Sequence, residues 1–377
     1  MQTPKKIKVA INGFGRIGRA FFKLAIENPR IEIVAVNDLA DIENLAYLLK
    51  YDSPYPTWTS HVQVMDLNLD VRRPSEPSKN ILQIAGKDIP FFSEPDPCYL
   101  PWKDLKVDIA VEATGIFNTY QKARAHLEAG ANRVILTAPA KDETEADCCS
   151  AARNNNPPQP LQTPDYGVIG KTILMGINDE ELKDCQISAN GSCTTNAVSP
   201  VLQILNQSIG VEKALLNTIH SYTAAQKIVD SADKKDFRRG RAGAQNIIPT
   251  TTGAASATTL AIKELAGRFD GLAVRVPTVL GSLADLTFTA KRNTSEKEIN
   301  KILKQASQEE KWRGIFTTTE KPVVSSDIIG NIYASIADLS LTKVVGGNLA
   351  KVLIWYDNEM GYANTLIKHI NKIREIL

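Results

Sequence analysis

The chain has 377 residues, of which 43% are hydrophobic and 23% charged, and its formal net charge is +2. Because one hydrophobic core seldom serves more than roughly 300 residues, we expect two domains, and the balanced charge gives no footprint for nucleic acid or an anionic membrane. No segment has the roughly 18 consecutive apolar residues of a membrane span. The five cysteines fit neither a disulfide framework nor a metal site, so we expect a cytoplasmic protein without a metal.

The N-terminal residues have the pattern of a βαβ unit. A β-rich run at 7–11 precedes a glycine-rich turn, helical apolar spacing extends over 16–28, and a second β-rich run occupies 31–36. Two strands joined through a helix in this way are expected to be parallel in one sheet, and their parallel arrangement implies a right-handed crossover.

The turn after the first strand matches the pattern GxGxxG through Gly13, Gly15 and Gly18. The first glycine permits a tight turn, the second lets the backbone approach a pyrophosphate, and the third allows the helix to pack closely on the strand. A glycine-rich turn without a ligand would show the same letters, but the strand before it and the helix after it favour a dinucleotide site. Asp38 closes the second strand and is placed to accept from a ribose 2′-hydroxyl, which favours NAD over NADP.

Further patterns extend the first half into a doubly wound parallel sheet. Strands are predicted at 107–111 and 133–136, with a helix over 121–129 between them. Two polar, proline-containing segments at 66–80 and 142–170 are interpreted as surface insertions.

The second half has patterns typical of a largely antiparallel sheet with helices. Strands are predicted at 214–219, 273–276, 284–290 and 351–355, and helices at 254–266, 296–309 and 364–376. The predicted fold class is α/β, with a Rossmann-type doubly wound parallel-sheet domain and an α+β catalytic domain.

Cys193 lies in a hydroxyl-rich turn before an apolar helical run. In the first turn of that helix, the dipole and the free N–H groups would favour thiolate over thiol. Pro200, seven residues later, is tolerable in that helix only if it falls in the first turn. A small buried cysteine is the commoner occupant of such a turn, so a nucleophile and a core residue are both open interpretations.

A thiolate nucleophile needs a base, and the chain has only four histidines. His220 ends a predicted strand in the same half of the chain as Cys193, which makes it the one sensible partner. A lone histidine at a strand end is also typical of a satisfied core residue, so the residues alone leave this pairing open.

Several motifs together resemble the phosphorylating glyceraldehyde-3-phosphate dehydrogenase family, and the resemblance runs essentially end to end in family order. The motifs that carry it are NGFGRIGR at 12–19, SCTTN at 192–196, HSYT at 220–223, NIIPTTTGAA at 246–255, RVP at 275–277 and WYDNE at 355–359.

The resemblance implies the chemistry of Cys193 and His220. Cys193 would attack the aldehyde of glyceraldehyde 3-phosphate to give a thiohemiacetal, and His220 would take the hydroxyl proton as hydride leaves for the nicotinamide. Inorganic phosphate would then split the thioester to give 1,3-bisphosphoglycerate, a step of glycolysis and gluconeogenesis.

The resemblance also assigns binding residues. The site for the substrate's own phosphate would contain Thr223 and Arg275. The site for the attacking phosphate would contain Ser192, Thr194, Thr252 and Gly253. Cofactor contacts, besides the three glycines, would come from Arg16, Ile17, Asp38, Thr137 and Asn358, the last near the carboxamide.

The resemblance implies a domain division as well. Residues 1–192 would form the dinucleotide-binding domain and residues 193–357 the catalytic domain, and the helix in 358–377 would return to the first domain. Residues 222–245 would form a loop that packs across a subunit interface, so we expect a homotetramer, with the basic run at 238–241 serving that interface rather than nucleic acid.

The cofactor preference depends on two places in the sequence. Leu39 after Asp38 points to NAD, whereas Asp230, Ser231 and Ala232 stand where strictly NAD-using members often carry Leu-Pro and resemble the NADP-tolerant branch. We therefore expect NAD to be preferred and NADP to be tolerated.

Two rival interpretations remain. Erythrose-4-phosphate dehydrogenase has a similar fold and nucleophile but lacks the threonine of HSYT and the TTTG stretch, both of which this chain keeps. A non-enzymatic binding protein on the same fold is the rival from another class, although every catalytic position of the family is occupied here.

Overall fold

A computed structural model describes residues 6–66, 80–142, 170–234 and 236–376. The predicted insertions at 66–80 and 142–170 lie outside these residues except for their ends. The chain forms two compact units, of which the first comprises Met1–Lys171, Glu180–Asn190 and Leu366–Leu377, and the second Thr172–Asp179 and Gly191–Thr365. No helix in the described ranges is long and apolar enough to cross a membrane.

The described strands of the first unit form a mostly parallel sheet in the order β3-β4-β5-β2-β1-β6-β7-β9-β8. They are β1 (Ile7–Asn12), β2 (Ile31–Asn37), β3 (Val62–Asp66), β4 (Asn80–Ile84), β5 (Lys87–Phe92), β6 (Ile109–Glu112), β7 (Arg133–Leu136), β8 (Gly170–Thr172) and β9 (Ile187–Ala189). The helices of this part of the chain are α1 (Arg16–Ile26), α2 (Ile42–Lys50), α3 (Trp102–Leu105) and α4 (Tyr120–Glu128). The central strands are apolar and buried on both faces, as expected where helices cover a parallel sheet.

One edge of this sheet is antiparallel and was not predicted. β4 pairs with β3 on one side and β5 on the other. The turn between β4 and β5 is Ala85 and Gly86, with φ of 49° and 76°. Two consecutive positive φ values define the tight turn whose twist matches a hairpin.

A buried polar cluster joins the ends of β1 and β6. Asn12 Nδ2 donates to Glu112 Oε2 at 2.6 Å, and His126 Nε2 lies 3.0 Å from the same oxygen. Trp102 Nε1 donates to His126 Nδ1 at 3.0 Å, so the second ring nitrogen carries the proton toward the carboxylate. The backbone N–H of Thr114 donates to the other carboxylate oxygen at 2.8 Å, which fixes the turn after β6.

The second unit is built on a largely antiparallel sheet in the order β11-β12-β10-β13-β16-β15-β14. Its described strands are β10 (Val211–Ser221), β11 (Ile248–Thr251), β12 (Phe269–Val276), β13 (Ser282–Ala290), β14 (Phe316–Thr319), β15 (Ser335–Val345) and β16 (Leu349–Tyr356). The helices are α5 (Cys193–Ser208), α6 (Ala254–Ala261), α7 (Glu296–Ala306) and α8 (Met360–Ile376), of which α8 begins in this unit and ends in the first. Buried residues alternate along β13, as expected for strands with helices on one face.

The two sheets confirm the predicted fold class, but three helix boundaries in the second half of the chain differ from the predictions by three residues or more. The helix predicted over 254–266 ends at Ala261, where Ile262 leaves the helical region at φ −112° and ψ 76°. The helix predicted over 296–309 ends at Ala306. The final helix begins at Met360 rather than 364, because Asp357 Oδ1 accepts from the N–H groups of Glu359 and Met360.

The buried histidine of α8 predicts a loss of stability in acid. His369 is 0% exposed, with Ser188 Oγ 2.9 Å from Nε2 and Asn190 Oδ1 3.0 Å from Nδ1. Burial, with a smaller contribution from Arg133, lowers the pKa of His369 from 6.5 to about 3. The unfolded chain therefore binds the proton first as pH falls below 6.5, and each such histidine costs about 1.4 kcal/mol of stability per pH unit.

We expect His369→Gln to lose less of its melting temperature between pH 7 and pH 5 than the wild type, measured by circular dichroism. The exposed His61 provides the matched control, and His61→Gln should follow the wild-type curve. Equal slopes for the wild type and His369→Gln would contradict this assignment.

Candidate active site

Cys193 is the first residue of α5, and its position is fixed by a capping box. Ser192 Oγ accepts from the Thr195 N–H at 3.0 Å, and Thr195 Oγ1 accepts from the Ser192 N–H at 3.2 Å. These reciprocal bonds satisfy two donors at the helix start. They hold the Cys193 thiol at the positive end of the helix dipole.

Pro200 lies well inside α5 rather than in its first turn, where a proline is ordinarily tolerated. A proline inside a helix removes one backbone donor and crowds the preceding turn. Here Val198, Val201 and Leu202 are all 0% exposed, and the burial of this apolar face maintains the helix past the proline.

The structure brings Cys193, His220 and Arg275 together. Cys193 Sγ lies 3.3 Å from His220 Nε2. β10 and β12 are parallel, and their register places His220 opposite Arg275, with Arg275 Nη1 2.6 Å from His220 Nδ1. Arg275 Nη1 also donates to the Ser221 carbonyl at 3.0 Å.

The Nδ1 atom of His220 faces two partners with opposite requirements. The Ser221 carbonyl oxygen, 2.7 Å away, can only accept, whereas the guanidinium of Arg275 can only donate. One nitrogen cannot meet both requirements at once. The position of Arg275 therefore determines which nitrogen of the imidazole carries the proton.

Burial is the dominant influence on the protonation of this pair. It raises the pKa of the Cys193 thiol, an effect that Arg275 and hydrogen bonds from Thr194 oppose. It also lowers the pKa of His220 to about 3, and the charge of Arg275 adds to that shift. The environment thus favours a neutral thiol and a neutral imidazole, and the thiolate expected from the helix dipole alone is outweighed by desolvation.

Tyr356 completes the cluster and was not singled out from the sequence. Its hydroxyl lies 2.9 Å from Thr194 Oγ1 and 2.6 Å from Thr218 Oγ1, and its ring packs edge-on against His220. Tyr356 belongs to the WYDNE motif, but the motif alone does not indicate which residues its hydroxyl contacts.

The remaining predicted residues of the second unit are Asn358, Thr223, Thr252 and Gly253, and their surroundings differ. Asn358 is 6% exposed, and its Oδ1 accepts from the hydroxyls of Ser221 and Ser282. Thr223 and Thr252 are bonded within their own turns, to Gln226 and to the N–H of Ala254. Gly253 is the N-cap of α6 and contributes no side-chain bond to that helix.

In the first unit, the three glycines of the turn have three different environments. Gly13 has φ +97°, and a Cβ there would lie 2.6 Å from the backbone of Ala113 and Thr114. A Cβ on Gly18 would lie 2.1 Å from the Gly13 carbonyl oxygen. A Cβ on Gly15 would meet no described atom within 4 Å. Two glycines are therefore required by packing, and the third leaves open space beside the start of α1.

That open space fits a dinucleotide phosphate. Gly15 is the N-cap of α1 and, having no side chain, contributes no capping bond to the first turn, which begins with Arg16 and Ile17. Helix starts of this kind present N–H groups and a partial positive charge to phosphate. Arg16 directs its guanidinium to Asp52, with Nη1 2.7 Å from Oδ2.

Asp38 follows β2 and Thr137 follows β7, at the carboxyl ends of two parallel strands that β1 and β6 separate in the sheet. Asp38 Oδ2 accepts from the N–H of Phe14 in the glycine-rich turn at 2.6 Å, and Oδ1 accepts from Ala40 at 2.9 Å. Thr137 follows β7, and its hydroxyl donates to the Glu112 carbonyl at 3.0 Å. The carboxylate that would bind the ribose thus also supports the turn that would bind the phosphates.

Comparison with known proteins gives a consistent result over both units. Residues 7–120 match the family model described as glyceraldehyde 3-phosphate dehydrogenase, NAD binding domain, and residues 192–358 match the C-terminal domain of the same enzyme. The chain is 43% identical to the glyceraldehyde-3-phosphate dehydrogenase of Thermotoga maritima, over 96% of this chain and 97% of that one. It is 40% identical to that of Borreliella burgdorferi, over 97% and 99%, and 41% identical to that of Geobacillus stearothermophilus, over 96% of each.

The glycine-rich turn allows folding and binding to be separated by two alanine substitutions. Gly18→Ala places a methyl group against the Gly13 carbonyl, and overpacking of this kind costs about 1–3 kcal/mol, so we expect a lower melting temperature. Gly15→Ala should fold at least as stably as the wild type but lose affinity for NAD, because the methyl group enters the open space.

Calorimetric titration with NAD and thermal melts of the two variants check this expectation. Equal NAD affinity for Gly15→Ala and the wild type would show that the open space beside α1 is not the phosphate site.

Proposed function

The chain belongs to the glyceraldehyde 3-phosphate dehydrogenase family, and we propose that it is a phosphorylating enzyme that converts D-glyceraldehyde 3-phosphate and inorganic phosphate into 1,3-bisphosphoglycerate. The observation that carries this proposal is the 3.3 Å contact between Cys193 Sγ and His220 Nε2, beside the Arg275 guanidinium. A nucleophile, a base and a cation for phosphate lie in one cluster, as this reaction requires.

The protein's groups would act in a fixed order. Arg275, with Thr223, binds the phosphate of the substrate and leaves His220 Nδ1. The neutral imidazole then loses its proton from Nε2 to solvent and takes one up from solvent at Nδ1, which donates it to the Ser221 carbonyl. The bare Nε2 takes the thiol proton as Sγ adds to the aldehyde carbon, and returns a proton to the new oxyanion to give the thiohemiacetal. Nε2 then takes the hydroxyl proton as the carbon–hydrogen bond breaks and the thioester forms.

The cofactor, when bound, accepts the hydride of that step. Residues of the first unit that would hold it are Gly13, Gly15 and Gly18 with the start of α1, together with Asp38 and Thr137. An oxygen of inorganic phosphate then attacks the thioester carbon, and Cys193 leaves as thiolate. Ser192, Thr194, Thr252 and Gly253 would hold that phosphate through hydroxyl and backbone N–H groups, which do not compete as nucleophiles.

We expect Cys193→Ser to abolish dehydrogenase activity, and His220→Asn to lower kcat about 10²- to 10⁴-fold by removing the base. Reduction of NAD is followed at 340 nm with glyceraldehyde 3-phosphate or erythrose 4-phosphate, each with and without inorganic phosphate. Cys98→Ser is the matched control, because Cys98 is exposed and Asp96 and Glu128 lie near it, and it should keep full activity.

Full activity of the wild type without phosphate would refute the phosphorylating mechanism. A preference for erythrose 4-phosphate would favour the neighbouring dehydrogenase. Unchanged activity of Cys193→Ser would contradict the role given to Cys193. A wild type inactive with both aldehydes would leave only a binding role for this fold.

We propose that NAD is the preferred cofactor and NADP a tolerated one. The carboxylate of Asp38 supports this choice, since its charge would repel a 2′-phosphate. Asp38→Asn keeps an oxygen for the Phe14 N–H and removes the charge, so we expect KM for NADP to fall about tenfold, equivalent to ~1.4 kcal/mol.

Asp41→Asn is the control for that measurement. Asp41 caps α2 by accepting from Asn44, a role that asparagine fills equally well. The replacement of Asp41 removes a nearby charge without changing the ribose site. The ratio of KM for NADP to KM for NAD should therefore stay at the wild-type value. An unchanged ratio in Asp38→Asn would contradict the role given to Asp38.

We also propose that the first unit is the dinucleotide-binding domain, that the second is the catalytic domain, and that the protein is a homotetramer. Three large apolar side chains in the loop at 222–245 support the assembly. Ile228, Val229 and Phe237 are 92%, 70% and 91% exposed, which is a large cost for a loop that contacts no partner. We place the assembled enzyme in the cytoplasm, in keeping with the cysteine composition.

A further inference from the structure

A buried carboxylate lies beside the glycine-rich turn of the first unit, in the polar cluster at the ends of β1 and β6. Glu112 is 3% exposed, and its side chain accepts four hydrogen bonds. Asn12 Nδ2 and His126 Nε2 donate to Oε2, and the backbone N–H and the hydroxyl of Thr114 donate to Oε1. The Thr114 hydroxyl accepts from the Ile116 N–H, so its own proton faces the carboxylate. Glu112 therefore acts only as an acceptor in this cluster.

The direction of these bonds is fixed from both ends of the cluster. The Trp102 indole N–H can only donate, so His126 accepts at Nδ1 and is a neutral imidazole with its proton on Nε2. At the other end the Glu94 N–H donates to Asn37 Oδ1, which turns Asn37 Nδ2 toward Asn12 Oδ1 at 2.7 Å. Asn12 then has only its Nδ2 to offer the carboxylate. In the described part of the chain, every group bonded to this carboxylate is therefore neutral.

The carboxylate lies where the topology of the sheet places a ligand. β1 and β6 are neighbours, but the chain continues from β1 to β2 on one side and from β6 to β7 on the other. The crevice at the carboxyl ends of two such strands is the usual ligand site of an open parallel sheet. Thr114 N lies 2.8 Å from Glu112 Oε1 and 2.6 Å from the place that a Cβ on Gly13 would occupy. The buried charge is thus in the layer next to the glycine-rich turn.

A negative charge at this place acts differently on the two redox states of a nicotinamide dinucleotide. Both states carry the same diphosphate, so its repulsion by the carboxylate cancels when the two are compared. The oxidised ring carries one positive charge that the reduced ring lacks, and an anion attracts that charge wherever in the crevice the ring lies. The sign of the effect is therefore independent of the cofactor's pose. At about 10 Å and an effective dielectric constant of about 20, its size is on the order of tenfold in a dissociation constant.

From this arrangement we infer that Glu112 is a specificity-determining residue, whose charge makes the first unit bind the oxidised cofactor NAD more tightly than the reduced cofactor NADH. The inference rests on the proposed function, which places the dinucleotide at the glycine-rich turn. In the proposed reaction the ring loses its positive charge as the hydride arrives. The attraction to Glu112 is lost at the same moment, so the product form of the cofactor is held less tightly than the substrate form.

Calorimetric titration with NAD and with NADH tests the inference through the ratio of Kd for NADH to Kd for NAD. In the wild type this ratio should be at least about three. Glu112→Gln removes the charge, and the ratio should fall at least about threefold. The glutamine oxygen still accepts from Asn12 and His126, whereas the bonds at Thr114 are disturbed, so the melting temperature should also fall.

Two further substitutions of Glu112 separate its charge from its packing. Glu112→Asp keeps the charge on a shorter side chain, so it should lower the melting temperature and retain the wild-type ratio. Glu112→Ser removes the charge and leaves room for water to bond to the same donors. It should lower the ratio as Glu112→Gln does, and it serves as the neutral variant where the glutamine variant does not fold.

Asp108→Asn is the matched control. Asp108 precedes the same strand, β6, at its amino end, and its carboxylate accepts from the Lys8 N–H at 2.8 Å and from Asn132 Nδ2 at 3.3 Å. An asparagine keeps an oxygen for Lys8, so the substitution removes one charge at the end of the strand away from the glycine-rich turn. Distance and exposure to water weaken the effect of that charge, and the ratio should stay within about twofold of the wild type.

The outcomes distinguish a failure of this inference from a failure of the proposed function. Equal affinities of the wild type for NAD and NADH, or a wild-type ratio in the neutral variants, would overturn the inference alone. A ratio in Glu112→Asp that fell as far as in Glu112→Gln would do the same, because the charge would then not be the cause. A wild type that binds neither form of the cofactor would overturn the proposed function as well.

Discussion

The position of strand β10 in its sheet is the constraint on which the candidate active site depends. Its hydrogen-bonded register with β12 sets His220 opposite Arg275, and its neighbour β13 begins at Ser282, within bonding distance of Ser221. Thr218 lies two residues before His220 on β10, and its hydroxyl is within hydrogen-bond distance of the Tyr356 hydroxyl on β16. A slip of one residue would turn every one of these side chains to the other face of the sheet. Backbone pairing along one central strand therefore builds the cluster.

Burial and the charge of Arg275 act against one another at Cys193 and in the same direction at His220. Desolvation alone would keep Cys193 protonated and His220 neutral. The charge of Arg275 opposes the rise in the pKa of Cys193 and adds to the fall in the pKa of His220. The guanidinium is itself largely buried, and burial lowers its pKa. Its approach to an imidazole nitrogen rather than a carboxylate leaves its charge uncompensated. In the proposed mechanism an anionic phosphate relieves this arrangement, and substrate binding would thereby control the state of the base.

Much of this molecule could be predicted from the sequence, because its chemistry-bearing residues occur in contiguous motifs. The glycine pattern was predicted from the sequence as a dinucleotide site, and Cys193 and His220 as a candidate nucleophile and base. Contacts between distant strands could not be identified in this way. Tyr356 and Ser282 acquire their partners through register, and register depends on the whole sheet rather than on local sequence.

The missed elements have local physical reasons as well. The turn Ala85-Gly86 lacks the Asn-Gly or Asp-Gly signal that usually predicts a hairpin, although the backbone adopts that conformation. β11 contains Pro249, which argues against a central strand, and the structure places β11 at the sheet edge, where a missing donor is tolerated. Pro200 lies inside α5, and the burial of its neighbours, which local sequence does not show, is what maintains the helix past it.

Gly15 is a position at which the chain is less stable than it would be with alanine. Its backbone, at φ −70° and ψ −160°, is open to any residue, and nothing nearby in the described structure excludes a side chain. Glycine at such a position enlarges the entropy of the unfolded state at a cost of about 0.4–1 kcal/mol relative to alanine. A chain optimised for folding alone would carry another residue there. Under the proposed function, the second glycine of the turn gives up stability in exchange for room for the ligand, so thermostability and activity could not be improved together at this position.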